Sequence, residues 1–367
     1  MKFSIDASEL NHIINIALKG ISSRSTLPIL SGFLLEAENN NLIITSTDLE
    51  LGIRTYTPCN IFEEGRIVVP ARFFSELVKK LPDENIVFES KIDLSIHISC
   101  TSSDFNLIGL DPMEFPSFQE IEDEKQIVLP SHVLSSMIKQ TNFATSVDES
   151  RPILTGALFE FDENAFYMVA LDGYRLAYRQ ENLSLNIKEQ LVVPSKTLNE
   201  IQKLLDDNED IIKIVFNNSH IRFEIGKTIF VSRLLEGQFL NYRDVIQMTP
   251  KTKIEIDLKT LKHSLDRASL FAKEGKNNCV KLEIKDGKLS ISSQSELGNV
   301  LEVLDVKKEG EDLVIAFNAK YMADGLKSIE DKEVTLEFMS SVNPCIIKPK
   351  NSDAYLYLML PVRLVEA

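Results

Sequence analysis

Several features that would define a metalloenzyme, a nucleotide-binding enzyme or a serine hydrolase are missing from the sequence. Only 14 of the 367 residues are glycine, and there is no glycine-rich phosphate loop, G-x-S-x-G elbow or H-E-x-x-H motif. The four cysteines, Cys59, Cys100, Cys279 and Cys345, are scattered, which argues against a zinc or thiol-exchange site and indicates reduced thiols. The five histidines also lack partners at metal-ligand spacing. We therefore expect no catalysis, no metal and no cofactor.

Long hydrophobic runs are absent as well. Apolar runs such as Ile13-Ile14 and Leu34-Leu35 fall far short of the roughly 20 residues that a membrane span needs. The first residues, Met1 to Asp6, alternate like a strand and do not resemble a signal peptide. We expect a cytoplasmic protein.

Positive charge is in deficit over the whole chain. The formal net charge is −15, from 55 acidic and 40 basic residues, and by itself this argues against a nucleic-acid partner. The total could mislead, however, if the two signs lie on different surfaces.

The chain does contain an internal repeat. The stretch 26–36, centred on Pro28-Ile29-Leu30, returns as Pro152-Ile153-Leu154, and Asp172 answers Asp48 at the same offset of 124 residues. Dividing 367 by 124 gives almost three, so the sequence predicts three copies of one domain, each large enough for its own core. We place the domains at 1–122, 123–247 and 248–367.

Each copy shows the same order of strand, helix, strands, helix and strands, which predicts an α+β fold with two helices against antiparallel sheets. The apolar stripe Leu10, Ile13, Ile14 and Ala17 is typical of an amphipathic helix that begins near Asp6. The other helices are predicted at 71–81, 131–142, 195–205, 258–271 and after 314–320. The acidic stretch 116–125 is predicted to be an exposed linker.

The predicted helices lean positive, although the chain is acidic. They and the residues just after them carry thirteen lysines and arginines and about seven acids. Each helix could simply present a solvated face, but six helices that lean the same way could share one basic surface.

Scattered motifs together resemble one family. These are Met1-Lys2-Phe3, 26–30, Thr47-Asp48-Leu49-Glu50, Val69-Pro70-Ala71-Arg72, 172–177 and Leu360-Pro361-Val362-Arg363-Leu364. In order and over the full chain, they resemble the bacterial sliding clamps, the beta subunits of DNA polymerase III. The resemblance implies three tandem clamp domains per chain, and two chains joined head to tail in a ring with its helices around the hole. It also implies a processivity factor that encircles duplex DNA without reading its sequence.

The resemblance further implies two kinds of site. Its DNA-contacting positions correspond to Arg24, Arg72, Arg151 and Lys196, each of which could also be an ordinary surface cation. Its pocket for short peptide motifs of the replicative polymerase, the clamp loader and repair proteins lies between the second and third domains. The matching residues are Leu154, Leu171, Gly173, Tyr174, Arg175, Leu176, Leu240, Val245, Ser341, Leu358, Leu360, Pro361, Val362 and Arg363. We expect aliphatic side chains to form the groove, Gly173 to let the backbone approach, and the arginines to lie at the rim.

Some alternatives remain open from the residues alone. Leu154, Leu176, Val245 and Leu358 could be ordinary core residues. The whole chain could be a monomeric repeat scaffold that binds only proteins. A nuclease that uses Asp48 or Asp172 is a third reading, although both acids fit turns better.

Overall fold

The computed structural model describes residues 1–22, 27–121, 125–205, 210–247, 249–274 and 278–363. Within these residues, no helix combines the length and the apolar character needed to cross a membrane. The elements follow the three predicted copies and are given below copy by copy.

The first copy contains two helices and nine strands. These are β1 (Lys2–Asp6), α1 (Ala7–Ala17), β2 (Gly32–Glu38), β3 (Asn41–Thr47), β4 (Leu51–Pro58), β5 (Asn60–Glu63), β6 (Gly65–Pro70), α2 (Ala71–Val78), β7 (Asn85–Ser90), β8 (Ser95–Cys100) and β9 (Ser103–Ile108).

The second copy repeats this order without an equivalent of β5, and it adds a short helix near its end. Its elements are β10 (Lys125–Pro130), α3 (Ser131–Thr141), β11 (Gly156–Asp162), β12 (Ala165–Leu171), β13 (Arg175–Asn182), β14 (Glu189–Pro194), α4 (Ser195–Gln202), β15 (Ile211–Phe216), β16 (His220–Ile225), β17 (Thr228–Arg233) and α5 (Tyr242–Ile246).

The third copy keeps the two long helices. Its elements are β18 (Thr252–Asp257), α6 (Leu258–Glu274), β19 (Cys279–Lys285), β20 (Lys288–Ser295), β21 (Gly298–Asp305), β22 (Lys307–Gly310), β23 (Leu313–Asn318), α7 (Ala319–Lys327), β24 (Glu333–Phe338), β25 (Cys345–Pro349) and β26 (Tyr355–Met359).

Helix α1 shows why the local sequence folds as predicted. Asp6 caps the helix, because its carboxylate accepts hydrogen bonds from the backbone N–H groups of Ser8 and Glu9 at 2.9 and 3.3 Å. The predicted stripe is confirmed, since Leu10, Ile13, Ile14 and Ala17 are all buried in the core.

Helix α2 ends earlier than predicted, at Val78 instead of Leu81. After it, Lys80 and Leu81 donate to carbonyls three residues back, which tightens the chain into a turn. Pro82 follows, and a proline disfavours helical backbone in the residue before it. Helix α4 also ends early, at Gln202 and not at Leu205.

The first of two compact units consists of residues 1–132 and 203–234. It contains an eight-stranded antiparallel sheet in the order β10-β15-β16-β17-β4-β3-β2-β6 and a five-stranded sheet in the order β5-β1-β7-β8-β9. Its core includes stacked Phe3 and Phe88, whose ring centroids are 4.9 Å apart.

The second unit consists of residues 133–202 and 235–367. Its sheets are a nine-stranded one in the order β14-β11-β12-β13-β26-β25-β24-β18-β22 and a four-stranded one in the order β21-β20-β19-β23. Clustered phenylalanines fill part of its core, among them Phe159 and Phe166 at a centroid distance of 5.1 Å.

Each large sheet is therefore built from two successive copies. Strand β4 of the first copy pairs with β17 of the second, and β13 of the second pairs with β26 of the third. We call these two strand pairs the first joint and the second joint. The domain boundaries at 122/123 and 247/248 stay a prediction, and the sheets run across them.

The prediction of an exposed linker at 116–125 is wrong in part. Ile121 is only 3% exposed and packs against Val215 and Val231 of the eight-stranded sheet, together with Phe118. Lys125 already belongs to β10. The acids suggested a solvated connection, but the apolar residues between them cover one face of the sheet, and this burial is favourable.

Candidate functional site

A row of aliphatic side chains crosses the second joint. Strand register places Leu171 opposite Leu176, Leu176 opposite Leu358, and Leu358 opposite Ile346. Residues that are opposite each other in neighbouring strands project to the same face. All four are at most 5% exposed and belong to one apolar cluster. This row is the floor of the predicted groove.

The segment before and within α5 lies over this face of the sheet. Tyr242 is buried in the same cluster, and Phe239 and Val245 pack against it, whereas Leu240 remains 51% exposed. Leu154, from the 3₁₀ turn at 152–155, is 9% exposed and completes the cluster.

One carboxylate pins this segment to the sheet. Glu160 accepts hydrogen bonds from the Tyr242 hydroxyl at 2.6 Å, from Arg243 at 2.8 and 2.9 Å, and from Gln190 at 2.8 Å. Burial by itself would raise the pKa of Glu160, but these donors outweigh it and lower the pKa. The segment is thus held to the sheet both by the hydrogen bonds to Glu160 and by the apolar cluster around Tyr242.

A tight turn connects β12 to β13 and lies at one wall of the predicted groove. The Asp172 carboxylate accepts from the backbone N–H groups of Tyr174 and Arg175 at 2.9 and 3.0 Å. Gly173, which follows Asp172, has φ +93°, a left-handed conformation that strains other residues. Tyr174 is 60% exposed on this turn. We call residues 172–175 the Asp172 turn.

The C-terminal segment runs beside this turn. The Leu360 N–H donates to the Tyr174 carbonyl at 2.8 Å, and the Val362 N–H donates to the Ala316 carbonyl at 2.8 Å. Leu360 is 41% exposed, Pro361 and Val362 are half-buried, and Arg363 is exposed. Ser341 is exposed in the turn that precedes β25.

Arg175 does not lie at the rim, where the sequence prediction placed it. Its side chain is 10% exposed, and the guanidinium donates to Asp172 at 3.0 Å, to Asp324 of α7 at 2.8 Å and to the Phe143 carbonyl at 3.0 Å. Burial alone would lower the pKa of Arg175, but its hydrogen bond to Asp324 and the nearby charges raise it. The guanidinium of Arg175 is therefore engaged by partners within the chain, and it braces the turn to which it belongs.

Two of the predicted DNA contacts occupy matching places. Arg72 is the second residue of α2 and Lys196 the second residue of α4, and both are exposed. Arg24 lies outside the described residues. A third basic residue has the same place, since Lys320 is the exposed second residue of α7. The sequence prediction omitted Lys320 as a contact, although it lies 124 residues after Lys196.

Arg151 is also exposed, but it is part of a different environment. Its Nη1 atom lies 3.7 Å from the position that a Cβ atom on Gly173 would take. Arg151 is thus next to the Asp172 turn, beside the groove, and its assignment as a DNA contact stays a prediction.

The positive lean of the helices is smaller than predicted. Helices α1, α2, α3, α4, α6 and α7 carry nine basic and six acidic residues, a net of +3. Lys19, Lys79, Lys80 and Lys203 follow the helix ends instead of lying within them. The sign of the lean persists against the −15 of the chain.

The acids that a nuclease would use serve as turn caps. Asp48 accepts from the N–H groups of Glu50 and Leu51 at 3.1 and 2.8 Å, as Asp172 does in its own turn. Across the ranges that the structure describes, no group of three His, Cys, Asp or Glu side chains could hold a metal ion.

The first joint has a small cavity that sequence reasoning missed. Its lining includes Thr45, Thr47, Gly52, Phe118 and His220. A Cβ on Gly52 would lie 3.1 Å from the Phe118 ring, so the ring rests on the glycine. The Arg54 guanidinium covers the Phe118 ring at 4.3 Å.

Tandem α+β copies that complete one another's sheets, with basic side chains at matching helix starts, are typical of the DNA-clamp class. Family models for the N-terminal, central and C-terminal domains of the DNA polymerase III beta subunit match residues 1–119, 128–241 and 243–363. The chain belongs to the DNA polymerase III beta subunit family, the bacterial sliding clamps.

Individual relatives agree with the family models. The beta sliding clamp of Staphylococcus aureus is 39% identical over 99% of both chains, and that of Bacillus subtilis is 37% identical over 99% of this chain and 100% of the relative. A crystal structure of the DNA polymerase sliding clamp from Bacillus subtilis covers all of both chains with a TM-score of 0.96 at 36% identity. The function is accordingly that of a sliding clamp, a processivity factor in DNA replication. The alternative of a protein scaffold without DNA binding is not supported.

Proposed function

We propose that two copies of this chain close head to tail around duplex DNA and hold DNA-working proteins through the groove at the second joint. The protein does this without catalysis, in the cytoplasm, where bacterial DNA is replicated. Its partners are the replicative polymerase, the clamp loader and repair proteins that carry short apolar motifs.

The pairing of strands across copies supports the dimer most strongly. The first joint pairs β4 with β17, and the second joint pairs β13 with β26. The strand of the third copy that is equivalent to β4 and β13 is β21, and the strand of the first copy that is equivalent to β17 is β9. Both β21 and β9 lie at the edge of their sheets. A third joint of the same kind therefore requires β21 of one chain and β9 of another.

The side chains of these edges fit this assignment. Ile108 of β9 is 78% exposed, and Leu301 and Val303 of β21 are 66% and 51% exposed. An open edge with apolar side chains is a template for pairing with another chain. A five-stranded and a four-stranded sheet would join into nine strands, as in the second unit.

The repeat also gives the register of the third joint. The pairing at the two internal joints can be transferred to the equivalent strands β21 and β9, with the registers of the β20–β21 and β8–β9 hairpins used to align them. This transfer places Asn299 of β21 opposite Asn106 of β9. Opposed residues in antiparallel strands have Cα atoms about 4.5–5.5 Å apart, within disulfide range. We expect Asn299→Cys with Asn106→Cys to form covalent dimers under oxidation. The control Leu301→Cys with Asn106→Cys, on the same face but two residues away, should form few. Equal yields would contradict this register.

The basic helix starts support a phosphate-facing role. Arg72, Lys196 and Lys320 recur once per copy, so two chains would offer six such cations, besides Arg24 and Arg151. Contacts to phosphates alone carry no base sequence, which suits a protein that slides. Charge reversal at Arg72, Lys196 or Lys320 should weaken binding to all sequences alike and lower the salt dependence by about one phosphate contact per chain.

A ring around DNA can be tested by comparing retention of the protein on circular and on linear duplex DNA. The protein loaded on circular duplex DNA should remain bound in high salt and leave when the circle is cut. Equal retention on circular and linear DNA would contradict encirclement. Removing residues 360–367 should abolish binding of partner peptides while the dimer persists, because β26 and its pairing stay intact.

A further inference from the structure

Arg175 joins three separate elements of the second unit behind the groove. Its guanidinium donates to Asp172 in the turn, to Asp324 of α7, and to the carbonyl of Phe143 after α3. It also lies over the Tyr321 ring of α7 at 4.5 Å. Charge-assisted hydrogen bonds of this kind are among the strongest that a protein makes.

The Asp172 turn determines the positions of two exposed residues of the proposed groove, Tyr174 and Leu360. Tyr174 is carried by the turn, and its ring lies 6.4 Å from that of Tyr321. The Tyr174 carbonyl receives the N–H of Leu360, which fixes the start of the C-terminal segment. A shift of the turn would therefore move Tyr174 and Leu360 together.

We propose that Asp324 is a positioning residue for peptide binding, which holds the Asp172 turn in place through Arg175. Asp324 is outside the groove-lining set that the sequence predicted, and its side chain is 22% exposed. Of the two carboxylates on Arg175, Asp172 belongs to the turn itself, whereas Asp324 ties the turn to a helix. The proposal rests on the proposed peptide groove and extends it to α7.

The charges around the Arg175–Asp324 ion pair explain why the loss of Asp324 should matter. Arg175 carries one positive charge between two carboxylates, and its side chain is largely withdrawn from water. The second neighbour of Asp324 is Lys327, at 3.9 Å, but that lysine side chain is 72% exposed and its pairing is weak. Loss of the Asp324 charge would thus be felt mainly at Arg175.

The test measures binding of a fluorescent clamp-binding peptide to the full-length dimer. Asp324→Asn keeps the size of the side chain and removes its charge, and we expect affinity to fall about tenfold, in line with the usual worth of a charge-assisted hydrogen bond. Asp324→Glu, which restores the carboxylate, should recover part of the loss. Lys327→Gln removes the exposed neighbour and leaves the Arg175 pair intact, so it should bind like the wild type.

A double-mutant cycle separates positioning from general destabilisation. If Asp324 acts by placing Tyr174, the effect of Asp324→Asn should shrink in a Tyr174→Ala background, whereas a general loss of stability would add fully. Unchanged affinity of Asp324→Asn, or full additivity with Tyr174→Ala, would overturn the proposal. Failure of the wild-type protein to bind the peptide would instead overturn the proposed groove itself. Retention on circular DNA should be the same for every variant.

Discussion

The first and second joints share a backbone plan but differ in their side chains. In both, a hairpin strand of one copy pairs with a strand of the next, and an aromatic residue of the following segment lies over the sheet. The rows of opposed residues, however, are different: Thr47, Gly52 and Val231 in the first joint, and Leu171, Leu176 and Leu358 in the second.

Their turns differ in the same way. Asp48 and Asp172 each accept two backbone N–H groups, so the two turns have the same scaffold. The residue after each aspartate is left-handed, but it is Leu49 at φ +75° in the first joint and Gly173 at φ +93° in the second.

These differences lie in the side chains and not in the backbone fold, and the proposed peptide site depends on them. Phe118 fills the space above Gly52 in the first joint, whereas in the second joint a buried leucine row lies next to the exposed side chains of Tyr174 and Leu360. On the proposed function, one repeat unit thus serves as a structural contact between copies at the first joint and as a docking groove at the second.

Converting the second joint into the first should have the largest effect. Leu171→Thr with Leu176→Gly removes two buried side chains that form the floor of the proposed groove, and the burial of each stabilises the fold by about 1.5–3 kcal/mol. Because the floor would lose its shape, we expect partner-peptide affinity, measured by fluorescence anisotropy on protein that urea unfolding shows to be folded, to fall on the order of a hundredfold or more. Val231→Ala in the first joint is the control and should leave affinity unchanged. If both variants bind equally well, the contrast between the joints is not functional.

Removing the aromatic cover of the first joint should affect stability alone. Phe118→Ala leaves a void over Gly52 and uncovers Arg54, so we expect a loss of stability of about 2 kcal/mol, below the roughly 3–5 kcal/mol of fully buried phenylalanines because this ring is only half-buried. Urea unfolding measures this loss. Peptide affinity should not change, and a change would show that the first joint takes part in docking.

The network at Glu160 should make the second joint sensitive to acid. Glu160→Gln should cost about 1–2 kcal/mol at pH 7, because buried Tyr242 and half-exposed Arg243 lose a charged acceptor. The folded-state pKa of Glu160 is lowered, so its contribution is present above the ordinary pKa of 4.5 and lost as the pH falls through the folded-state value.

The difference in unfolding free energy between the wild type and Glu160→Gln should therefore become smaller at pH values below 4.5. The matched change Glu36→Gln in the first unit should have less effect, since Gln119 stands where Arg243 stands in the second. A gap that stays constant with pH would contradict the assigned role of the Glu160 charge.

The smallest effect is expected at the two left-handed turn positions. Leu49→Gly relieves a strained conformation but loosens the unfolded chain, for a net gain of about 0.5 kcal/mol. Gly173→Ala should lose a similar amount or more. Thermal unfolding compares the two, and a loss for Leu49→Gly would show that its side chain packs usefully.

The sequence could predict most elements, because the evidence for them is local or periodic. The 124-residue repeat and the stripe of Leu10, Ile13 and Ile14 lie within short windows, and α1 and the β2–β3 hairpin follow them. The matching position of Lys320 could have been found by the same counting.

Other features depend on distant partners and leave no local pattern. Strands β4 and β17 are far apart in sequence, and so are Arg175 and Asp324. An arginine in a charged turn gives no sign that a helix 149 positions later will bury it. The partly buried stretch 116–121 was likewise hidden, because Phe118 and Ile121 stand singly among polar and acidic residues.

The first joint also constrains how the chain is made. Strand β4 is complete at residue 58, but its partner β17 begins only at residue 228. At roughly 5–20 residues per second, the ribosome takes about 10–30 s to supply the missing strand. During that time β4 is an open edge, and the first unit cannot finish folding until most of the second copy has emerged.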